Sequence, residues 1–464
     1  VVVEQQDGAA SLASTYDATA LEKLIVEGIK AWQTSIDVSE LGLTRDDIDN
    51  GAVRSIINSH PEFISLSGGY TYWTSGSSIT KIAFTYLTNA KEEQQELDAA
   101  LQEVKSKIDT SGMSAEEIVL AYHEYLTSTV AYAYEDYFNG TIAANHGYDM
   151  YGALVKHSCV CQGYLLREAG FSCAIASSEN INHAWNIVKI RGNWYHIDAT
   201  WDDPVWDMPG RSYHDYFLVS FDTMNKNTLI NHTKDRTDMV VSAQWGDTYT
   251  TAVDTTYESG KFWNGIEKAI FYKDGYWYSI SEGSSKTSFN INKYQYSTNI
   301  NKVLYSGTAK WTTPSGGYYP GVYSSIYLRG DNLYFTTPDS LNKIDITSTN
   351  VIPTELINIR TQYNSSTGNN LYAFGEQYGK LVYFITDSPN IKKTKDSSNS
   401  SKYNKEYAEY TFEMCISHKW DAGVVTKEPT YTSTGTKKYT CTNCGETKIE
   451  TIAKLVCTSH VWDS

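Results

Sequence analysis

The stretch HSCVCQGYLLREAG at 157–170 places two thiols, Cys159 and Cys161, one residue apart ahead of a short helix-like run. A thiol is ordinarily a small buried hydrophobe. At the first turn of a helix it can serve as a nucleophile, because unpaired backbone N–H groups there favour the thiolate. A thiol nucleophile also needs a base to take its proton and a third group to fix the tautomer of that base. The segment INHAWNIVKIRGNWYHIDATWDDP at 181–204 offers His183 at the start of one strand and Asp198 near the middle of the next. Antiparallel pairing across an Arg191–Gly192 turn brings position 183 near 200 and 185 near 198, so His183 and Asp198 fall within one residue of register. With Cys161 at a helix start, its own backbone N–H is a natural oxyanion donor.

A second set of chemically capable residues lies near the C-terminus. Cys415-x-x-His418 and Cys441-x-x-Cys444, with 22 residues between the pairs, supply the four N/S ligands of a tetrahedral structural zinc. The intervening AGVVTKEPTYTSTGTKKYT reads as a strand pair, so the expectation is a small ribbon with ligand-bearing turns. A disulfide between two of the three cysteines is the alternative. CISHKWD at 415–421 recurs as CTSHVWD at 457–463, a period of 42, and the second copy is read as cut short at Ser464. Such a closed zinc site has no part in thiol chemistry.

The elements that must position the first set are legible in outline. TALEKLIVEGIKAW and AKEEQQELDAALQEVKSKI carry helical periodicity, and residues 70–88 read as a two-stranded ribbon between them. Ser114 and Glu117 form a capping-box pair ahead of a helix over about 115–130. AWNIVKI and GNWYHIDATW read as a β-hairpin, and DYFLVS at 215–220 as a third strand. Helix first and antiparallel strands after is an α+β order.

CQGY, then HAWN, then WYHIDATWDDP, in that chain order, resemble the transglutaminase-like superfamily. The likeness covers about 115–220, including AYHEYL and DYFLVS, and within the superfamily it is similar to the exported bacterial branch with accessory repeats. The resemblance implies a papain-like core in which Cys161 is the nucleophile, His183 the base and Asp198 the orienting carboxylate. Cys159 is then a buried neighbour in the approach to the helix, and Cys173 a core residue at a strand start. In one respect the sequence departs from the family. Leu165 and Leu166 follow Tyr164 directly, where about six further residues are usual, a change of roughly 1.7 helical turns. That predicts either a remodelled helix after Cys161 that misplaces the nucleophile, or a stretch missing from this sequence.

Other residues have more ordinary readings. His196 shares a sheet face with Asp198 and is a rival base, but it lies outside the HAWN element. His123 in AYHEYL is read as packing or surface, Trp185, Trp194 and Trp201 as core or cleft walls, and Asp202 and Asp203 as a turn and cap.

From about 245 the texture becomes short aromatic strands joined by Asp/Gly/Asn turns. IFYKDGYWYSI, IYLRGDNLYFTT and AFGEQYGKLVYFIT align on Tyr278, Tyr334 and Tyr383, at spacings of 56 and 49 residues, near the length of a propeller blade. The expected organisation is an N-terminal mixed helical region at 1–110, a transglutaminase-like core at 111–224 and a linker at 225–245. A partial propeller-like all-β repeat domain at 246–412 and a zinc-ribbon-like repeat at 413–464 follow.

At 464 residues with a net charge of −16, the chain is unsuited to nucleic acid or an anionic membrane, both of which need a basic patch. No apolar run approaches the roughly 18 residues that span a bilayer. The 37 tyrosines and the Asn/Ser/Thr-rich second half suit an exported bacterial surface protein, and the start VVVEQQ, without Met, is read as that of a mature chain whose signal peptide has gone. The expected function is acyl transfer from amide bonds through a Cys-His-Asp triad, foremost hydrolysis of peptide or cell-wall amides. A protein-glutamine transglutaminase with an amine acceptor is one alternative. An inert surface protein that binds glycan or peptide through its β-repeats and ribbons is the other, and the short helix after Cys161 favours it.

Overall fold

The computed structural model describes residues 16–159, 166, 169–178, 183–203, 207–226, 240–241, 252–390, 393–395, 403–405, 407–412, 420–440 and 447–455. The chain divides after Tyr410 into two compact units.

The first unit begins with α1 (Ala18–Lys30), whose start is fixed by Asp17: its carboxylate accepts the Ala20 N–H at 2.9 Å. Leu21, Ile25 and Ile29, spaced one helical turn apart, bury one stripe of α1 against Ile36, Ile79, Ile82 and Phe84. Those partners stand on a three-stranded antiparallel sheet of β1 (Ser35–Asp37), β2 (Leu66–Ser75) and β3 (Ser78–Tyr86), in the order β1-β3-β2. Two short helices, α2 (Arg45–Asp49) and α3 (Ala52–Asn58), lie between β1 and β2. The hairpin read over 70–88 therefore starts earlier in the chain, because Leu66 already pairs with Tyr86.

Next come α4 (Ala90–Lys107) and α5 (Ala115–Thr129). The Ser114 N–H donates to the Glu117 carboxylate at 2.9 Å, which fixes the start of α5. This helix is buried nearly all round, with Glu116, Glu117, His123 and Glu124 inside along with its apolar residues. It leads through β4 (Ala131–Tyr132), α6 (Tyr134–Asn139) and α7 (Met150–Leu154) to β5 (Ser158–Cys159), which pairs in parallel with β4.

The central sheet contains β6 (Cys173–Ser178), β7 (His183–Ile190), β8 (Asn193–Ile197), β9 (Phe217–Val219) and β10 (Val240–Val241), in the order β10-β6-β7-β8-β9, all antiparallel. Ile190 pairs with Asn193, and the two-residue turn between them has positive φ at Arg191 (49°) and Gly192 (88°), as the tight hairpin turn of a right-twisted ladder requires. The register read from the sequence is the register observed. One face of the sheet (Val188, Ile190, Tyr195, Ile197) packs into the same core as α5, and the other (Trp185, Ile187, Trp194) packs with Tyr216, Val219 and Met224. A short helix, α8 (Phe221–Lys226), follows β9.

Three antiparallel sheets succeed one another after residue 270. The first contains β11 (Phe271–Lys273), β12 (Tyr276–Glu282), β13 (Ser288–Gln295) and β14 (Ile300–Thr308). The second contains β15 (Ile326–Arg329), β16 (Asn332–Thr336), β17 (Ser340–Asp345) and β18 (Thr354–Asn358). After α9 (Ile359–Tyr363), the third contains β19 (Asn370–Gln377) and β20 (Lys380–Thr386). It is completed by β23 (Ala408–Thr411), beyond a small hairpin of β21 (Lys393–Lys395) and β22 (Tyr403–Lys405). Tyr278 faces Phe271 and Tyr334 faces Tyr327 on the third rung from their turns, whereas Tyr383 faces Phe374 on the fourth, so the third aligned tyrosine is one residue out of step and Val382 holds the equivalent rung. The sheets share one apolar core, but among the described residues they close into neither a barrel nor a propeller ring. The molecule is thus a mixed α/β protein dominated by antiparallel sheets.

The second unit holds a three-stranded antiparallel sheet of β24 (Val424–Lys427), β25 (Gly435–Thr440) and β26 (Thr447–Ile452).

Candidate functional site

His183 opens β7 and Asp198 follows the last residue of β8, on the same face of the sheet by strand alternation. Nε2 of His183 lies 2.6 Å from Oδ2 of Asp198, with the two side chains only 7% and 1% exposed. The imidazole N–H donates to the carboxylate, a charge-assisted geometry that sets both tautomer and ring orientation. The other carboxylate oxygen, Oδ1, accepts the backbone N–H groups of Thr200 at 3.1 Å and Trp201 at 3.2 Å. The backbone of the turn thus holds one edge of the carboxylate and the imidazole takes the other.

The ring of His183 is also held by stacking. Trp201 lies parallel to it at 4.8 Å between centroids, and Trp185 lies on it at 5.6 Å and 22°. Tyr216 meets Trp201 edge-on at 5.5 Å. Burial, with the charges of Asp198 and Asp202, pushes the Tyr216 phenol up, so it is neutral at physiological pH. With Nε2 committed to Asp198, Nδ1 is the nitrogen through which this imidazole would exchange a proton with a nucleophile.

Cys161 lies outside the described residues. Cys159, two positions before it, is half-buried in β5, where its carbonyl accepts the Ala133 N–H at 2.9 Å. Cys173 opens β6 and is buried in the core beneath α5. His196 is wholly buried, and its Nδ1 accepts the indole N–H of Trp185 at 2.9 Å. It packs the sheet and holds the tryptophan that flanks His183.

Sequence reading missed a polar cluster that lies within the core. His123 and Asp202, read as packing or surface and as a turn cap, are both buried and meet at 3.0 Å, Nε2 to Oδ2. Asp202 Oδ1 accepts the Tyr216 N–H at 3.0 Å, and the Asp202 N–H donates to the Asp198 carbonyl at 3.0 Å, so Asp202 pins the turn that carries the dyad. Glu124 Oε1 meets His214 Nε2 at 2.8 Å and His123 Nδ1 at 3.2 Å. Burial pulls the His123 imidazole down, but its hydrogen bonds to Asp202 and Glu124 outweigh that and hold it well above the usual histidine range. Burial pushes Glu124 up, yet the flanking imidazoles hold it below the ordinary carboxylate range. At Asp202 burial prevails and the carboxyl stands above that range. The available signal was the pair His-Glu inside an apolar helical run, which an all-round buried helix turns inward.

Cys415 and His418, ahead of β24 in the chain, and Cys441 and Cys444, between β25 and β26, lie outside the described residues. No helix among the described residues is long and apolar enough to cross a membrane. No model of a known protein family matches this sequence, and no curated protein matches it.

Proposed function

We propose that the protein is a thiol-dependent acyl-transfer enzyme with a transglutaminase-like core, in which Cys161, His183 and Asp198 act on amide bonds and water is the usual acceptor. The observation that carries this reading is the buried His183–Asp198 contact at 2.6 Å, backed by tryptophans on the imidazole. The motifs CQGY, HAWN and WYHIDATWDDP support the same assignment.

In this reaction the Cys161 thiolate attacks the amide carbonyl and the His183 imidazolium protonates the departing amine, leaving a thioester. Water then adds, giving its proton to His183, and the carboxylic acid leaves as the thiol re-forms. Asp198 stays ionised throughout and stabilises the imidazolium. Substrates are peptide or cell-wall amides, and an exported, surface location fits the acidic, Tyr-rich composition. For the C-terminal unit we propose a structural zinc on Cys415, His418, Cys441 and Cys444, supported by their spacing.

The test is the iodoacetamide alkylation rate of each cysteine at pH 6, read by peptide mapping in the wild type and in His183→Ala. Cys161 is expected to label roughly tenfold or more faster than an ordinary thiol of pKa about 8.5, and to lose that advantage without His183. A slow Cys161, or one indifferent to His183, overturns the proposal and leaves the inert binding scaffold. Amine incorporation into a glutamine-containing protein would identify an amine as the acceptor in place of water.

A further inference from the structure

The cluster around Glu124 has a donor arrangement that the thiol reaction does not use. His214 Nδ1 lies 2.8 Å from the Ile266 carbonyl, so that nitrogen carries a proton and donates it. His123 Nε2 faces the Asp202 carboxylate at 3.0 Å and donates likewise. Each ring's remaining nitrogen, His214 Nε2 and His123 Nδ1, is aimed at the same atom, Glu124 Oε1. The second Glu124 oxygen is already satisfied by the Ile270 N–H at 2.8 Å. A carboxylate oxygen and two ring nitrogens turned on one another are bridged either by protons, as hydrogen bonds, or by one divalent ion that all three ligate.

Two protons would make both rings imidazolium, with centroids 5.6 Å apart inside a buried core. The flanking carboxylates accommodate such a proton on His123 in the ion-free protein, and a shared divalent ion would displace it and join both rings to Glu124 without two facing imidazoliums. The three donor atoms lie within 4.8 Å of one another. Zinc bonds of ~2.0–2.1 Å place ligand atoms roughly 3.3 Å apart at a tetrahedral centre, within side-chain adjustment of that spread. The outer nitrogens held by a carboxylate and a carbonyl are the partners that fix ligating imidazoles in metal sites. The Ser212 hydroxyl donates to Glu124 Oε1 at 3.2 Å and would reach an ion there as a fourth oxygen only by giving up that hydrogen bond.

We infer that His123, Glu124 and His214 form a structural site for a divalent transition ion, zinc by its donor set, buried between α5 and the segment entering the first β-repeat sheet. The site ties the helix to residues 266–270 and takes up its ion as the chain folds. It takes no part in the Cys161 chemistry, although Asp202, the outer partner of His123, also pins the turn that carries Asp198.

The test uses the full chain carrying Cys441→Ser and Cys444→Ser, which disables the proposed C-terminal set, produced in cobalt-supplemented medium and never unfolded. About one equivalent of cobalt should survive dialysis against a weak chelator, with the visible bands of a tetrahedral N/O site and no thiolate-to-cobalt charge transfer. Adding His214→Gln or His123→Gln should lower retention at least tenfold. A parent protein that retains no cobalt, bands that show thiolate ligation, or retention unchanged by both glutamine variants overturns the inference. Should the glutamine variants fail to fold, the parent's stoichiometry and spectrum alone decide. Thiolate bands would point to Cys161 or a remaining C-terminal cysteine, so failure here is distinguishable from failure of the acyl-transfer reading.

Discussion

The indole of Trp201 lies parallel to the imidazole of His183, 6° between planes and 4.8 Å between centroids, while its own backbone N–H donates to Asp198 Oδ1 at 3.2 Å. One residue therefore positions both members of the dyad, the ring with its side chain and the carboxylate with its main chain. Trp201→Leu keeps the second contact and removes the first. Stacking of this kind contributes about 0.5–1.5 kcal/mol, so Cys161 alkylation at pH 6 should fall several-fold to about tenfold, with Trp201→Phe recovering part of it.

Asp198→Asn keeps an oxygen toward the turn N–H groups but removes the charge that, in the proposed mechanism, holds the imidazolium. Loss of such a carboxylate costs on the order of 10⁴ in rate in a serine protease triad. Amide hydrolysis should fall by roughly 10²–10⁴-fold, while circular dichroism and the thermal midpoint change little. An Asp198→Asn protein as active as wild type would remove Asp198 from the mechanism.

Asp203 is buried, its Oδ1 takes no hydrogen bond among the described residues, and burial together with the Asp207 charge pushes its carboxyl well above the usual range. A carboxyl raised in the folded state supports folding below its unfolded value of about 3.9 and loses that support as pH rises through its folded value. At neutral pH and above it is a liability. Asp203→Asn should match wild type in urea midpoint near pH 4 and exceed it increasingly up to pH 8.

The Trp277 indole N–H donates to Glu117 at 3.0 Å, linking the first β-repeat sheet to the start of α5. Trp277→Phe keeps an aromatic ring and leaves a buried carboxylate oxygen without that donor. The expected loss is about 1–3 kcal/mol in chemical denaturation, with the dyad's reactivity retained.

Gly210 has φ +83°, and a Cβ there would meet Ser325 Cβ at 2.5 Å and the Phe374 carbonyl at 2.6 Å. Neither can move cheaply, since Ser325 is fully buried with its Oγ donating to the carbonyls of Pro209 and Tyr372. Gly210→Ala should destabilise by about 2–4 kcal/mol, read as a lowered thermal midpoint.

Local pattern alone specified the helix at 115–129, the 183–197 hairpin with its register, and the existence of the three aromatic hairpins, though it placed Tyr383 one rung out of step with Tyr278 and Tyr334. Those features follow from periodicity of 3.6 and 2 and from two-residue turns, which short stretches encode. The pairing of His183 with Asp198 was legible for the same reason, because antiparallel register across a tight turn leaves little freedom. What lies around α5 was not legible. Sequence spacing assigns a helix one buried stripe, and nothing local announces that residues 262–296 return to cover its other side. That return buries Glu116, Glu117, His123 and Glu124, and supplies Trp277, Tyr296 and the Ile270 N–H as partners. Whether a charged residue on a helix meets water or another buried charge depends on chain more than a hundred residues away, so only the tertiary structure decided it.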